Sequence, residues 1–348
     1  MRADVLVVGG GPSGLAVAID MAQRGRSIVV VEPQDGVIDK ACGEGLMPQA
    51  LAALERLGVP PLSGVPIKGI TYRQGRHRVS ANFPDCTGLG VRRLTLHAAL
   101  RERAAALGVQ WVRGRVDAIR EGVDHIEACG VQARHLVGAD GLRSGVRSLL
   151  FEEQRWRGRP RYAVRQHFRV APWSDHVEVH WSAHSELYVT PVGPDTVGVA
   201  VLYDDRAKQA SEVQGRLFER LLNAFPEVEA RLHTPASSVR GAGPFGVRCR
   251  RVGRGRALLV GDAAGYVDPL TGEGVGMGLA SAAAACEAIV NGDVSRYHDA
   301  WRQVTRHHRW FAGGLLWLGG RAMLRPLIVP CASAAPFMMR AAVAGLGR

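Results

Sequence analysis

Three features of this 348-residue chain predict an α/β fold: a Rossmann-like dinucleotide-binding domain, a second domain built on a β-sheet, and a helical C-terminal segment. The first is an N-terminal βαβ unit. Val5–Val8 is an apolar run of strand length, followed by the glycine-rich turn Gly9-Gly10-Gly11-Pro12-Ser13-Gly14. An Ala/Leu-rich helical stretch (15–24) leads to a second strand (27–31) that ends on Glu32. The second feature is another strand, turn and helix far along the chain. Residues 256–260 are apolar, Asp262 follows, and a loop holding Gly265, Gly272, Gly274 and Gly276 opens a small-residue helix reaching Val290. The third is a β pattern over 161–203, broken by Pro172, Pro191 and Pro194. The two nucleotide-type pieces lie at opposite ends of the chain, so that domain is discontinuous. Its expected segments are 1–65, 90–155 and 250–300. The β-sheet domain takes 66–89 and 156–249, and the helical segment is 301–348.

Composition narrows the function. A hydrophobic share of 47% suits a globular chain long enough for a sizeable core. The net charge of +12 is arginine-driven, since lysine occurs only at 40, 68 and 208. No basic run carries interleaved aromatics, which argues against nucleic-acid binding. Cys42, Cys86, Cys129, Cys249, Cys286 and Cys331 are scattered without a C-x-x-C pair, so neither a metal site nor a disulfide framework is expected. The first strand begins within a few residues of Met1, and the reading is a cytoplasmic protein.

Between the two nucleotide-type pieces the elements follow in order. Residues 33–46 form a polar loop containing Cys42-Gly43-Glu44-Gly45, and a helix is expected over 47–57, ended by Gly58 and Pro60. Residues 67–72 and 77–83 flank Gln74-Gly75 as a hairpin. Residues 94–107 read as a helix with Arg92 and Arg93 at its start. Cations are unfavourable at that end on dipole grounds, so an anionic ligand or plain solvation must explain them. Short strands are expected at 110–112, 116–119 and 125–129. A further strand then runs into Asp140-Gly141, Ser144 and Arg147. Residues 211–225 form an amphipathic helix, and 237–252 are arginine-rich and irregular.

The glycine turn has a direct chemical reading. Gly9 permits the tight turn, Gly11 lets backbone approach a pyrophosphate, and Gly14 lets helix and strand pack closely. Pro12 and Ser13 open the helix whose N-terminal N–H groups face phosphate. Glu32, followed by Pro33, can accept from both hydroxyls of a ribose and disfavours a 2′-phosphorylated nucleotide. The motif alone suits NAD and FAD equally.

These residues resemble a family, the FAD-dependent oxidoreductases of the para-hydroxybenzoate hydroxylase type. Three fingerprints match in order: Gly9-x-Gly11-x-x-Gly14 with Glu32; Asp140-Gly141 with Ser144 and Arg147; and Gly261-Asp262. The resemblance implies FAD as the cofactor and NAD(P)H as reductant, with no separate nicotinamide-binding domain. It puts Glu32 at the adenosine ribose, Arg93 along the pyrophosphate and Asp262 at the ribityl chain. Asp140-Gly141 shapes the loop that buttresses the FAD. Within the family, Cys42-Gly43-Glu44-Gly45-Leu46 and the run Asp268 to Gly274 are similar to the geranylgeranyl-reductase branch. Those reductases carry an aromatic wall, Tyr-x-Trp-x-Phe-Pro; the nearest match is Glu186-Leu-Tyr188-Val-Thr190-Pro191. Aromatic hydroxylases usually carry His where Gly265 stands. The halogenase branch has a Trp-x-Trp-x-x-Pro motif and a catalytic lysine; here that stretch lacks Trp and Lys40 is the nearest lysine.

The resemblance also places the Cys42–Gly43 loop beside the isoalloxazine. Cys42 could tune the flavin, contact substrate or donate a proton, or it could be a small residue packed in a tight loop. Gly272, Glu273, Gly274 and Val275 form a helix start that can meet the negative charge of a reduced flavin. Asp268 reads as a helix cap, with a polar lid on the site as the alternative. On an unbroken strand His180, His184, Glu186 and Tyr188 share one face. His184 and Tyr188 are then acid/base candidates; a turn at Ser182-Ala183 would separate them. His307 and His308 are expected to be exposed. The apolar tail from Trp301 onward falls short of a membrane span. It reads as helices closing over the cofactor domain, with peripheral membrane or lipid contact as the alternative.

The expected function is an NAD(P)H-dependent FAD monooxygenase acting on a hydrophobic, phenolic or polyketide-like small molecule. Polar residues at the aromatic-wall positions suit a substrate with a polar handle. The alternative is a geranylgeranyl-reductase-like enzyme that saturates C=C bonds of an isoprenoid or other lipid-like substrate.

Overall fold

The computed structural model describes residues 1–155, 159–207, 214–321, 323–337, 339, 340 and 343. Five parallel strands form the centre of the first sheet, in the order Ala257–Leu259, Val131–Gly138, Arg2–Val8, Ile28–Glu32, Gln110–Arg113. Arg2–Val8 is paired on both sides, and Val5, Leu6 and Val7 are fully buried. A strand covered on both faces needs a continuous apolar run rather than alternation, which explains Val5–Val8. The helix Pro12–Gln23 packs against Arg93–Ala106 and Gly274–Val290. Close packing depends on glycine: a Cβ on Gly278 would lie 2.4 Å from Ser13 Oγ.

The second sheet runs Thr234–Pro235, Arg161–Arg169, Thr196–Asp204, Ser185–Gly193, His176–Trp181, Gly69–Gln74, His77–Asn82. Its pairing is antiparallel except where His176–Trp181 meets Gly69–Gln74 in parallel. The hairpin of Gly69–Gln74 and His77–Asn82 pairs Gln74 with His77, leaving Gly75 at φ +54° in a two-residue turn. Leu187, Val189, Val199 and Val201 on one face pack under the helix Gln214–Leu222. The opposite face meets Met47 and Leu270, from the loops beside the first sheet, and Val329 of the tail.

The structure revises several expectations. Residues 116–119 are irregular, and the short strand comes later, at Arg120–Glu121. The arginine-rich stretch 237–252 contains the strands Arg240–Ala242 and Val247–Cys249. Of the helix expected over 211–225, residues 211–213 lie outside the described residues. The tail closes over more than the cofactor domain. Tyr297–Gly319 packs on Gly274–Val290, whereas Ile328–Ala334 packs on Gly69–Gln74 and His77–Asn82 of the second sheet. Met338 and residues 344–348 lie outside the described residues. Among the described residues no helix is long and apolar enough to cross a membrane.

Candidate active site

The glycine turn leaves the end of Arg2–Val8 with Gly9 at φ +107°, and a Cβ there would lie 2.5 Å from Ala139 O. A Cβ on Gly14 would sit 2.0 Å from Gly9 O, so helix and strand touch. Gly11 differs: the nearest atom to its ideal Cβ is an Arg93 guanidinium nitrogen at 4.0 Å. Pro12 and Ser13 form the first turn of the helix. Glu32 is buried; its carboxylate accepts the Gly10 N–H at 2.8 Å and the Gln34 N–H at 3.1 Å. Pro33 is exposed beside it.

His97, which no motif marks, completes this turn. It is fully buried, donates from Nε2 to Gly10 O at 2.8 Å, and accepts the Ile38 N–H at Nδ1. Burial lowers its pKa and so favours the neutral ring that this bridging requires.

Asp140 and Arg147 act inside the protein. Asp140 accepts from Gly145 N (2.7 Å), Val146 N (3.1 Å) and Ser144 Oγ. Ser144 caps the short helix Gly145–Leu150. The buried Arg147 donates to the carbonyls of Leu142 (2.6 Å), Asp262 (3.4 Å) and Ala263 (3.1 Å). Asp140-Gly141 is thereby tied to the Gly261-Asp262 turn. Gly261 needs its φ of +56° and its missing side chain, because a Cβ would lie 2.4 Å from Ser13 Oγ.

Beside this turn three groups await a partner. No described residue donates to the Asp262 carboxylate, whose pKa burial raises against the pull of Lys40, Arg93 and Arg147. Arg93 Nε and Arg92 Nε are buried without a hydrogen-bond partner. An open glycine approach, unpaired arginine Nε donors and a half-buried carboxylate without a donor are what phosphate and sugar hydroxyls would satisfy. The residues present therefore fit a bound dinucleotide.

The second sheet presses one face against the loop 38–44. Gly198 and Ala200, on the strand between, pair with His167 and Arg165 on one side and Thr190 and Tyr188 on the other. Their small side chains leave a hollow that Glu44 enters; a Cβ on Gly198 would lie 3.1 Å from Glu44 Oε2. Glu44, itself at φ +59°, meets His167 Nε2 with one oxygen and the Arg93 N–H with the other. Arg165 pairs with Asp39 and donates to Lys40 O, and Thr190 Oγ donates to Gly43 O at 2.8 Å. The loop that carries Cys42 is thus held from both ends. Glu44 N donates to Cys42 Sγ at 3.4 Å, and burial raises the thiol pKa despite Arg93. That shift opposes formation of an activated thiolate at Cys42.

The catalytic candidates on the second sheet separate. Ser182–His184 form a turn, and Ser185–Gly193 runs back antiparallel to His176–Trp181. His184 is exposed in that turn, and His180 pairs opposite Leu187, on the other face from Tyr188. Glu186, Tyr188 and Thr190 do share a face. Tyr188 donates to Leu270 O at 2.7 Å, and Glu186 pairs with Arg161 (2.6 Å) and Arg325 (2.7 Å). Arg161 also pairs with Asp268 at 2.9 Å. Asp268 caps Leu270 N, and burial together with Glu186 outweighs Arg161 to push its pKa up to about 6.

Gly272, at φ +72°, turns the chain into the helix Gly274–Val290, with Val275 packed against the core beside it. The Glu273 side chain is buried, and His308 Nδ1 donates to it at 2.8 Å. The expected exposure of His308 is overturned: it is 3% exposed, beside Thr271 Oγ as well. The ring is held in place because Tyr297–Gly319 packs along Gly274–Val290. The side chain of His307 lies outside what is described. His97, Arg165, His167 and Arg161 escaped the sequence reading, since none stands in a motif, and Glu44 was named there only as part of the Cys42 loop.

Residues 2–291 match the family described as FAD binding domain, and the chain belongs to that family. It is an FAD-dependent oxidoreductase. Menaquinone reductase of Mycolicibacterium smegmatis is 29% identical over 333 residues, covering 88% of this chain and 81% of that protein. The 6-methylpretetramide 4-monooxygenase of Streptomyces rimosus is 28% identical over 341 residues, covering 85% and 78%. The solved structure of the flavin-dependent brominase Bmp2 superposes with a TM-score of 0.81 over all of this chain and 94% of that one; at 17% identity this speaks for the fold alone.

Proposed function

We propose that the chain is a C=C reductase of the geranylgeranyl-reductase-like kind, drawing on NAD(P)H and acting on an isoprenoid or other lipid-like substrate. The observation that carries this reading is the loop of Cys42, a half-buried thiol whose pKa burial raises, braced by Glu44 and Thr190. FAD, when bound and reduced, supplies hydride; saturation then needs one proton from the chain, and Cys42 Sγ–H holds one. The bond broken is S–H, the bond formed is C–H, and the thiolate is reprotonated from water. Gly9, Gly11, Gly14 and the helix start at Pro12 and Ser13 would receive the pyrophosphate with Arg93. Glu32 and Pro33 would hold the ribose, Asp262 the ribityl chain, and the backbone of 272–275 would meet the ring.

The polar residues at the aromatic-wall positions are already paired within the protein. Tyr188 and Thr190 direct their hydroxyls to backbone carbonyls, and Glu186 is held between two arginines. None of these groups is left needing a polar substrate. The similarity to a menaquinone reductase over 88% of the chain adds support. Monooxygenation remains the second reading, supported by the similarity to a pretetramide monooxygenase.

The deciding experiment is turnover with NAD(P)H and a polyprenyl substrate in the absence of oxygen. The proposal expects product that gains two hydrogens, one from solvent, and slower turnover in Cys42→Ser with FAD retained. Turnover that requires O₂, with ¹⁸O₂ label entering the product, would establish the oxygenase instead.

A further inference from the structure

The C-terminal helix carries a surface that the site does not use. On Tyr297–Gly319 the buried side is Trp301, Thr305, His308 and Ala312, at helical spacing toward the core. The opposite side aligns Arg302, Arg306, Trp310 and Trp317, and Arg321 follows just beyond the helix. Trp310 is 77% exposed and Trp317 is 57% exposed, seven residues apart on one stripe. The Arg321 guanidinium lies over the Trp317 ring at 3.5 Å. A stripe that only had to dissolve in water would not present two tryptophans.

Charge points the same way. From Ala300 to Arg348 the sequence contains seven arginines and neither Asp nor Glu. Arg302, Arg306 and Arg309 line a surface groove with Arg248, Arg250 and Trp310, and Asp299 is the one carboxylate among its lining residues. Exposed aromatic rings flanked by arginines match the headgroup zone of a bilayer that carries negative lipids. The same helix borders a second groove. Leu316, Gly319 and Gly320 form part of its wall, and Arg161 and Asp268 lie within it.

We infer that this helix docks the protein on an anionic lipid bilayer. Trp310 and Trp317 enter the headgroup zone, Arg302, Arg306 and Arg321 meet lipid phosphates, and the mouth of the Arg161–Asp268 groove is brought to the membrane. The inference stands on the surface alone and holds for either chemistry proposed above.

The test is co-sedimentation of the full, FAD-loaded protein with vesicles of phosphatidylcholine mixed with phosphatidylglycerol, against phosphatidylcholine alone. The mixed vesicles should take the protein down and release it as salt rises, while the neutral ones leave it in solution. Trp310→Ser with Trp317→Ser should weaken partition about tenfold or more, through lost apolar insertion. Arg302→Gln with Arg306→Gln should weaken it too. Flavin absorbance and melting temperature confirm that each variant is folded. Wild-type protein that stays in solution with anionic vesicles overturns the inference. So does a double-tryptophan variant that is folded and binds as before. Equal binding to polyglutamate beads, unaffected by the tryptophan changes, would assign the surface to an acidic protein instead.

Discussion

His308 on the C-terminal helix donates from Nδ1 to the Glu273 carboxylate at 2.8 Å, joining the tail to the loop that opens the helix Gly274–Val290. Both side chains are buried, and Gln49 Nε2 approaches the other Glu273 oxygen at 3.4 Å. The pair fixes how the backbone N–H groups of that helix start are presented.

His308→Ala should therefore loosen the loop without touching the glycine turn. Losing a buried hydrogen bond to a charged group costs about 1.5–3 kcal/mol. The expected outcome is a lower melting temperature and faster FAD loss on dilution. Unchanged flavin retention and stability would show that Glu273 holds the loop without its histidine.

Gly11 and Gly14 should respond differently to the same change. In Gly14→Ala the new Cβ meets Gly9 O at 2.0 Å, backbone that cannot move aside, so loss of folding by several kcal/mol is expected. In Gly11→Ala nothing of the protein lies closer than 4.0 Å. That variant should fold with a wild-type melting temperature in the absence of FAD, yet bind FAD at least about tenfold more weakly, because the methyl occupies the phosphate approach. Thermal unfolding and flavin titration on both proteins check this; tight FAD binding by Gly11→Ala would place the pyrophosphate elsewhere.

Glu32→Ala removes the acceptor of the Gly10 N–H as well as the carboxylate proposed to meet the ribose. Weaker FAD binding by about 1.5–3 kcal/mol is expected, with a smaller fall in stability. Equal affinity in the variant would remove Glu32 from the cofactor.

Asp268 makes stability depend on pH. Its folded pKa of about 6 stands above the ordinary carboxylate value of 3.8, so between these values the folded protein holds a proton that the unfolded chain has released. Stability from this group is full below about pH 4, falls as pH rises through 6, and is then level. The ceiling on the change is about 3 kcal/mol, at about 1.4 kcal/mol for each pH unit. Asp268→Asn, which leaves the Arg161–Glu186 pair in place, should flatten that fall. Denaturant unfolding at pH 4, 5, 6 and 7 reads it directly. A variant as pH-dependent as the wild type would show that another group titrates there.

The cofactor half of the molecule was legible in the chain because its determinants are neighbours in sequence. Gly9, Gly11 and Gly14 act on the turn they belong to, and alternation placed Glu186 and Tyr188 on one face without reference to anything distant. The hairpin turn at Ser182–His184 defeated the same argument for His180 and His184, since a single reversal moves the first to the opposite face and the second to solvent. What only the tertiary structure decided is which side chains meet across the chain. His97 reaches Gly10 across 87 residues, His167 reaches Glu44 across 123, and His308 reaches Glu273 across 35. Local sequence carries no mark of such a pair. Each histidine is buried by the packing of one element on another, and its partner is whichever polar group that packing leaves unsatisfied.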